Sequence, residues 1–229
     1  MSEEHTAHQP LGAFTIFTKC KELVIANLNS YAVLLLVPLA LNIIVSLSMK
    51  ASTANYNGLG FGGLDFGAVG AGAGFGLLSV VVSIFISFFL VALDLEVVKG
   101  KKPELAQLWP TVKKYGWRLL GLFLLVGVMV VCGLILLIVP GLIILRRYIM
   151  APFVLIDQDL SISAALEESA RLSKPYSGAI WGIIGVSFLC SLAGIIPVIG
   201  WIISFILSGL YQPAVAYRYL ELKKIVGKA

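Results

Sequence analysis

Two arginines stand side by side in an otherwise apolar run, IVPGLIILRRYIMAPFVLID, residues 138–157. Arg146 and Arg147 are permanent cations with fork-shaped sets of donors, a geometry that suits carboxylate and phosphate. Nothing around them adds nucleophilic or acid–base chemistry. The chain has no HExxH, no CxxC pair, no Walker sequence and no recognisable Ser–His–Asp set. His5 and His8 lie near the N-terminus, and Cys20, Cys132 and Cys190 are far apart, so neither a metal site nor a disulfide framework is expected. The sequence therefore predicts no catalytic residues, no metal and no cofactor, hence no enzyme. What the arginines can do is recognise an anion.

The setting is a membrane. The chain has 229 residues, 59% hydrophobic and 13% charged, with a mean hydropathy of +0.97. Soluble domains carry about 25% charged residues. A core of this size cannot hide so much apolar surface, so lipid must be the solvent. The fold class expected is all-α: a polytopic helical membrane protein in a single bundle. A lone β-branched run such as LLSVVVSIFISFFLVAL also reads as helix, because a lone strand leaves its backbone unsatisfied in lipid.

Spans need about 20 mostly apolar residues. Six are expected, at about 31–49, 77–98, 119–139, 141–156, 178–196 and 199–220. MSEEHTAHQP has no basic stretch running directly into an apolar one, so the first run is read as a retained span rather than a signal peptide. Residues 1–10 are expected to form a disordered tail. Residues 11–30 read as an amphipathic helix, lying in the interface or packed on the bundle. The single transmembrane domain is 31–226. The Gly-rich stretch 56–76 reads as an outer loop, flexible or dipping into the bundle. Pro140 and Pro197 are expected to mark tight outer turns.

Basic residues set the orientation. Lys19 and Lys21 precede the first span; Lys99, Lys101, Lys102, Lys113, Lys114 and Arg118 lie between the second and third; Arg218, Lys223, Lys224 and Lys228 flank the last. An even number of crossings between these groups puts them all on one side, the cytoplasmic side of the plasma membrane, with both termini. The basic balance, pI about 9.1, is thereby explained by topology and anionic lipid, and no nucleic-acid partner is implied.

The arginines are costly in the fourth span. Each costs about 2.5–3.5 kcal/mol at a helix centre, and the nine strongly apolar residues of 142–156 return only about 3–5 kcal/mol. Arg146 lies five residues past Gly141, about 7.5 Å below the outer turn, and helical side chains lean towards the N-terminus. Both arginines can snorkel outwards on this reading. Alternatively, one faces the bundle and meets Asn42, Gln212 or Asp65 while the other takes a lipid phosphate or partner anion. Asp94 and Glu96 are expected to form a surface charge cluster with Lys99 and Lys101. A short cytoplasmic helix is expected before span five, capped near Asp159 or Ser161, with Glu167 meeting Arg171. Gly178, Gly182 and Gly185 place small residues on span five for close helix contact, within the chain or in a homo-oligomer.

The Pro-Gly turn, the arginine-bearing short helix, APFVLID and SISAALEESARLSK together resemble a family of six-span bacterial and archaeal proteins. That family includes the membrane domain joined to some glycerophosphodiester phosphodiesterases. The resemblance implies a multi-helix membrane fold and, in some members, association with lipid-headgroup hydrolysis. The catalytic barrel of those enzymes has no counterpart in this sequence.

Two functions follow as expectations. One is a non-catalytic membrane module or scaffold that binds lipid or a partner protein. The other is a small transporter or pore component, with a polar track of Asn42, Ser46, Ser83, Ser87, Gln212 and the arginines and helix breaks near Pro38 and Pro213.

Overall fold

A computed structural model describes residues 10–55, 66–195 and 199–227; the side chains of 41–42, 45–55, 66–78 and 201 lie outside that description. The expected tail, apart from Pro10, lies outside it too, as do Asp65, Pro197 and the first half of the Gly-rich stretch. The described residues contain helices and no strand. In order these are α1 (Ala13–Ala26), α2 (Leu28–Asn55), α3 (Phe66–Val98), α4 (Leu105–Leu136), α5 (Ile138–Tyr148), α6 (Ala151–Gln158), α7 (Ile162–Ser173), α8 (Ser177–Leu192), α9 (Ile199–Leu210) and α10 (Ala214–Val226), with a 3-10 turn at Ala193–Ile195.

Four segments among the described residues are long and apolar enough to cross a membrane: Ser79–Val98, Leu105–Leu136, Ile138–Gln158 and Ser177–Ile195. A fifth arises if α1 and Leu28–Ala40 count as one span, but these are bent by 93°. The chain is thus an α-helical protein with several helices fit for a bilayer, consistent with a membrane protein.

Helix ends depart from the expected spans for local reasons. α3 begins at Phe66, inside the stretch read as loop, because Ala68, Ala71 and Ala73 alternate with the glycines and Ala is the strongest helix former. α4 begins at Leu105 rather than 119, since helix continues below an apolar run wherever its polar residues find water or partners. The turn expected at Pro140 falls at Leu137, whose backbone is extended (φ −166°, ψ 144°). Pro140 sits instead in the first turn of α5, where its missing N–H would have had no partner. Pro38 lies inside α2 without ending it, whereas the last expected span breaks before Ala214. α3 stops at Gly100 (φ +84°), the left-handed residue of a Schellman cap: Gly100 N–H donates to Val97 O at 2.9 Å and Lys101 N–H to Glu96 O at 3.1 Å.

The main core gathers the last turns of α3 (Phe88 to Val97), the first half of α4 (Leu108 to Leu122), α6, α7 and α10. Leu93, Leu119, Leu155, Ala216 and Leu222 are fully buried there. A second, smaller core joins α1 to α8 and the α9–α10 region through Ile16, Cys20, Ile183, Val186 and Tyr211. The opposite halves of α4 and α8 expose Leu124, Ile135, Phe188 and Leu189, a surface that water would penalise and lipid would not.

The α4–α5 hairpin is held at backbone contact. A Cβ added to Gly133 would lie 2.8 Å from Gly141 Cα, and one on Gly141 would lie 2.6 Å from Leu134 Cγ. Small residues are what permit helices to approach this closely.

Candidate functional site

α5 ends one residue beyond its arginines, at Tyr148, and Ile149 and Met150 form the joint to α6. Cations in a final turn suit the negative end of the helix dipole. α7 runs back alongside: the buried Ser169 hydroxyl donates to the Arg147 carbonyl at 2.9 Å, and the buried Ser173 hydroxyl shares its proton between Ala170 O at 3.1 Å and the same Arg147 carbonyl at 3.4 Å. These bonds satisfy a carbonyl that the end of α5 leaves free. They also put a polar helix beside the arginine pair, a relationship that sequence spacing does not reveal.

Neither guanidinium has a hydrogen-bond or ion-pair partner among the described residues. Arg147 is exposed, while Arg146 is half-buried with its Nε fully buried and unbonded. Several cations among the described residues contrast with this. Asp157, its side chain 7% exposed, takes Lys99 of the α3 end at 2.6 Å and Lys223 of α10 at 2.5 Å, and accepts from the Tyr219 hydroxyl at 2.8 Å. Asp159 takes Lys114 at 2.8 Å and Arg118 at 2.9 Å, both from α4. Glu96 takes Lys101 at 2.6 Å. The DQD sequence is therefore a double clasp, each acid holding two cations and the four drawn from three helices. It closes what we call the basic end of the bundle.

Of the remaining candidates, Asp65 and the side chain of Asn42 lie outside the described residues, and Gln212 is engaged elsewhere. Gln212 lies between α9 and α10, where it meets the carboxyl of Asp94. Asn42 lies within α2. Asp94 is 1% exposed and accepts from the Tyr31 hydroxyl at 2.8 Å, so it is no part of a surface cluster. Two residues apart on a helix point about 200° apart, which is why Glu96 reaches the lysines and Asp94 the core. Glu168 rather than Glu167 pairs with Arg171, through two bonds of 2.7 Å, and Ser161 caps α7 by accepting from Ala164 N–H at 3.4 Å. Of the glycines on α8, Gly182 lies under α1, where an added Cβ would be 3.2 Å from Ala13 Cβ; Gly178 and Gly185 face open space.

Among the described residues there is no group of three or more His, Cys, Asp or Glu side chains placed to hold a metal. The chain matches no family model, no curated protein and no solved structure.

Proposed function

We propose that this chain is a non-catalytic membrane module that binds an anionic lipid or the anionic surface of a partner protein through Arg146 and Arg147. The observation that carries this is the contrast in pairing: Asp157, Asp159 and Glu96 hold Lys99, Lys101, Lys114, Arg118 and Lys223 at the basic end, whereas the arginine pair, set within an apolar helix, has no such acid among the described residues. Arg218 also has a buried, unbonded Nε, but its charge is held by Glu221; a half-buried guanidinium with no acid partner, as at Arg146, is expensive unless a ligand satisfies it. The family resemblance of 138–175 to lipid-associated membrane domains points the same way.

Six crossings with both termini in the cytoplasm is the topology we favour. Asp157 draws the ends of α3 and α6 to α10, so an even number of crossings separates Asp157 from Lys223. α8 and the broken α9–α10 pair supply two. The polar track required by a transporter finds less support: Ser83 is exposed, and the Ser87 hydroxyl is spent on the Ser83 carbonyl of its own helix at 2.8 Å. A C-terminal reporter active only outside the cell would rule out this topology.

Binding is tested by purifying wild type and Arg146→Leu/Arg147→Leu side by side and assaying retained phosphorus and co-purifying protein. Wild type should keep a component that the double variant loses. Equal retention by two well-folded samples would defeat the proposal.

A further inference from the structure

α4 carries Trp109, Lys113 and Trp117 at four-residue spacing, so the three side chains share one stripe of the helix. Both tryptophans are exposed. The other cations of this part of the helix, Lys114 and Arg118, share the carboxylate of Asp159; Lys113 has no ion-pair partner among the described residues. Beneath the stripe lies an apolar groove of about 510 Å³, floored by Phe85 and Phe88 of α3 and opened by the missing side chain of Gly116. A second groove of about 670 Å³ runs between α2, α3 and α4. Val81, Phe85 and Trp109 line both, so the grooves adjoin across the Phe85–Trp109 pair, whose ring centroids are 6.4 Å apart.

Each groove is in the size range of small-molecule sites, about 300–1,000 Å³. Twin apolar channels beside one unneutralised lysine, bracketed by tryptophans, match the parts of a diacyl phospholipid with a negative headgroup. Tryptophan favours the boundary where acyl chain meets headgroup, and a lysine there attracts anionic lipid. We infer that the α3–α4 face is a binding site for one anionic phospholipid, its chains in the two grooves and its phosphate on Lys113. The inference rests on the reading of the chain as a lipid-associated membrane protein, but not on the arginine pair.

The test uses full-length protein in bilayers, with Trp181→Phe and Trp201→Phe so that fluorescence reports Trp109 and Trp117. Brominated phosphatidylglycerol should quench at about one-fifth the mole fraction needed for brominated phosphatidylcholine, the ratio corresponding to about 1 kcal/mol per membrane-facing lysine. Lys113→Gln should abolish that preference and Lys113→Arg should keep it, which separates loss of charge from loss of fold. Gly116→Leu should weaken quenching by both lipids, since a Cβ there stands 3.8 Å from the Phe88 ring and a longer chain enters the groove. Arg146→Leu/Arg147→Leu should leave the preference intact. Equal quenching by the two lipids in wild type would overturn the inference and leave an apolar helix of a partner protein as the occupant. A preference lost only in the arginine variant would also overturn it, while sparing the arginine site.

Discussion

The guanidinium of Arg218, 1% exposed, donates to the carbonyl of Leu11 at 2.8 Å from the far end of the chain. Glu221 completes the clamp, taking Arg218 at 2.6 Å and the Leu11 N–H at 2.7 Å. One ion pair on α10 thus fastens both backbone groups of Leu11, two residues before α1. Arg218→Leu removes one partner of a buried pair, and such losses cost about 3–5 kcal/mol. The unfolding midpoint in detergent should fall, and protease should cut before α1 faster than in wild type. Glu221→Gln should be milder, because its amide oxygen can still accept from Leu11.

Asp159 gives the stability a dependence on acid. The hydrogen bond from Lys114, with its charge and that of Arg118, holds this carboxyl below its ordinary 3.8. A depressed value means that the contribution is complete above 3.8 and disappears as pH falls through the lower, folded-state value. Asp159→Asn should therefore lower stability at neutral pH and flatten the acid limb of an unfolding-against-pH curve. An unchanged acid limb would show that the clasp does not form.

Gly133 is where the α4–α5 hairpin tolerates no side chain. Overpacked sites cost about 1–3 kcal/mol, and backbone atoms yield less readily than side chains. Gly133→Val should lower the unfolding midpoint more than Gly127→Val, since Gly127 faces open space. Equal effects would refute the close contact.

Tyr31 supplies the buried acceptor Asp94 with its hydroxyl. Tyr31→Phe should cost about 1–3 kcal/mol, the range for a buried group left short of a partner. Adding Asp94→Asn to Tyr31→Phe should cost less than the two single changes summed, and thermal unfolding of the four proteins measures this coupling.

Helices were legible in the sequence because twenty apolar residues in lipid have no other way to satisfy their backbone. The α7 cap was legible too, since Ser161 acts through neighbours in the chain. Long-range pairing was not. Nothing in the spacing of Asp157 says that it meets Lys99 and Lys223, since that depends on how three helices register at their ends. Asp94 and Glu96 looked alike for the same reason: their difference lies in which face the packing buries. The turn placed at Pro140 was a local error, because a proline in the first turn of a helix costs nothing. For the arginines, sequence showed the cost, and only the folded arrangement showed that the acids of the basic end are spent on other cations.

The central claim is that Arg146 and Arg147 hold an external anionic partner, and native mass spectrometry of the protein released from lipid nanodiscs tests it most directly. The wild type should carry one bound phospholipid or protein mass more than Arg146→Leu/Arg147→Leu, and Lys113→Gln should keep that additional mass even where it loses the lipid of the α3–α4 grooves. Bare protein in the wild type, or the same number of bound masses in the wild type and the double variant, would contradict the account.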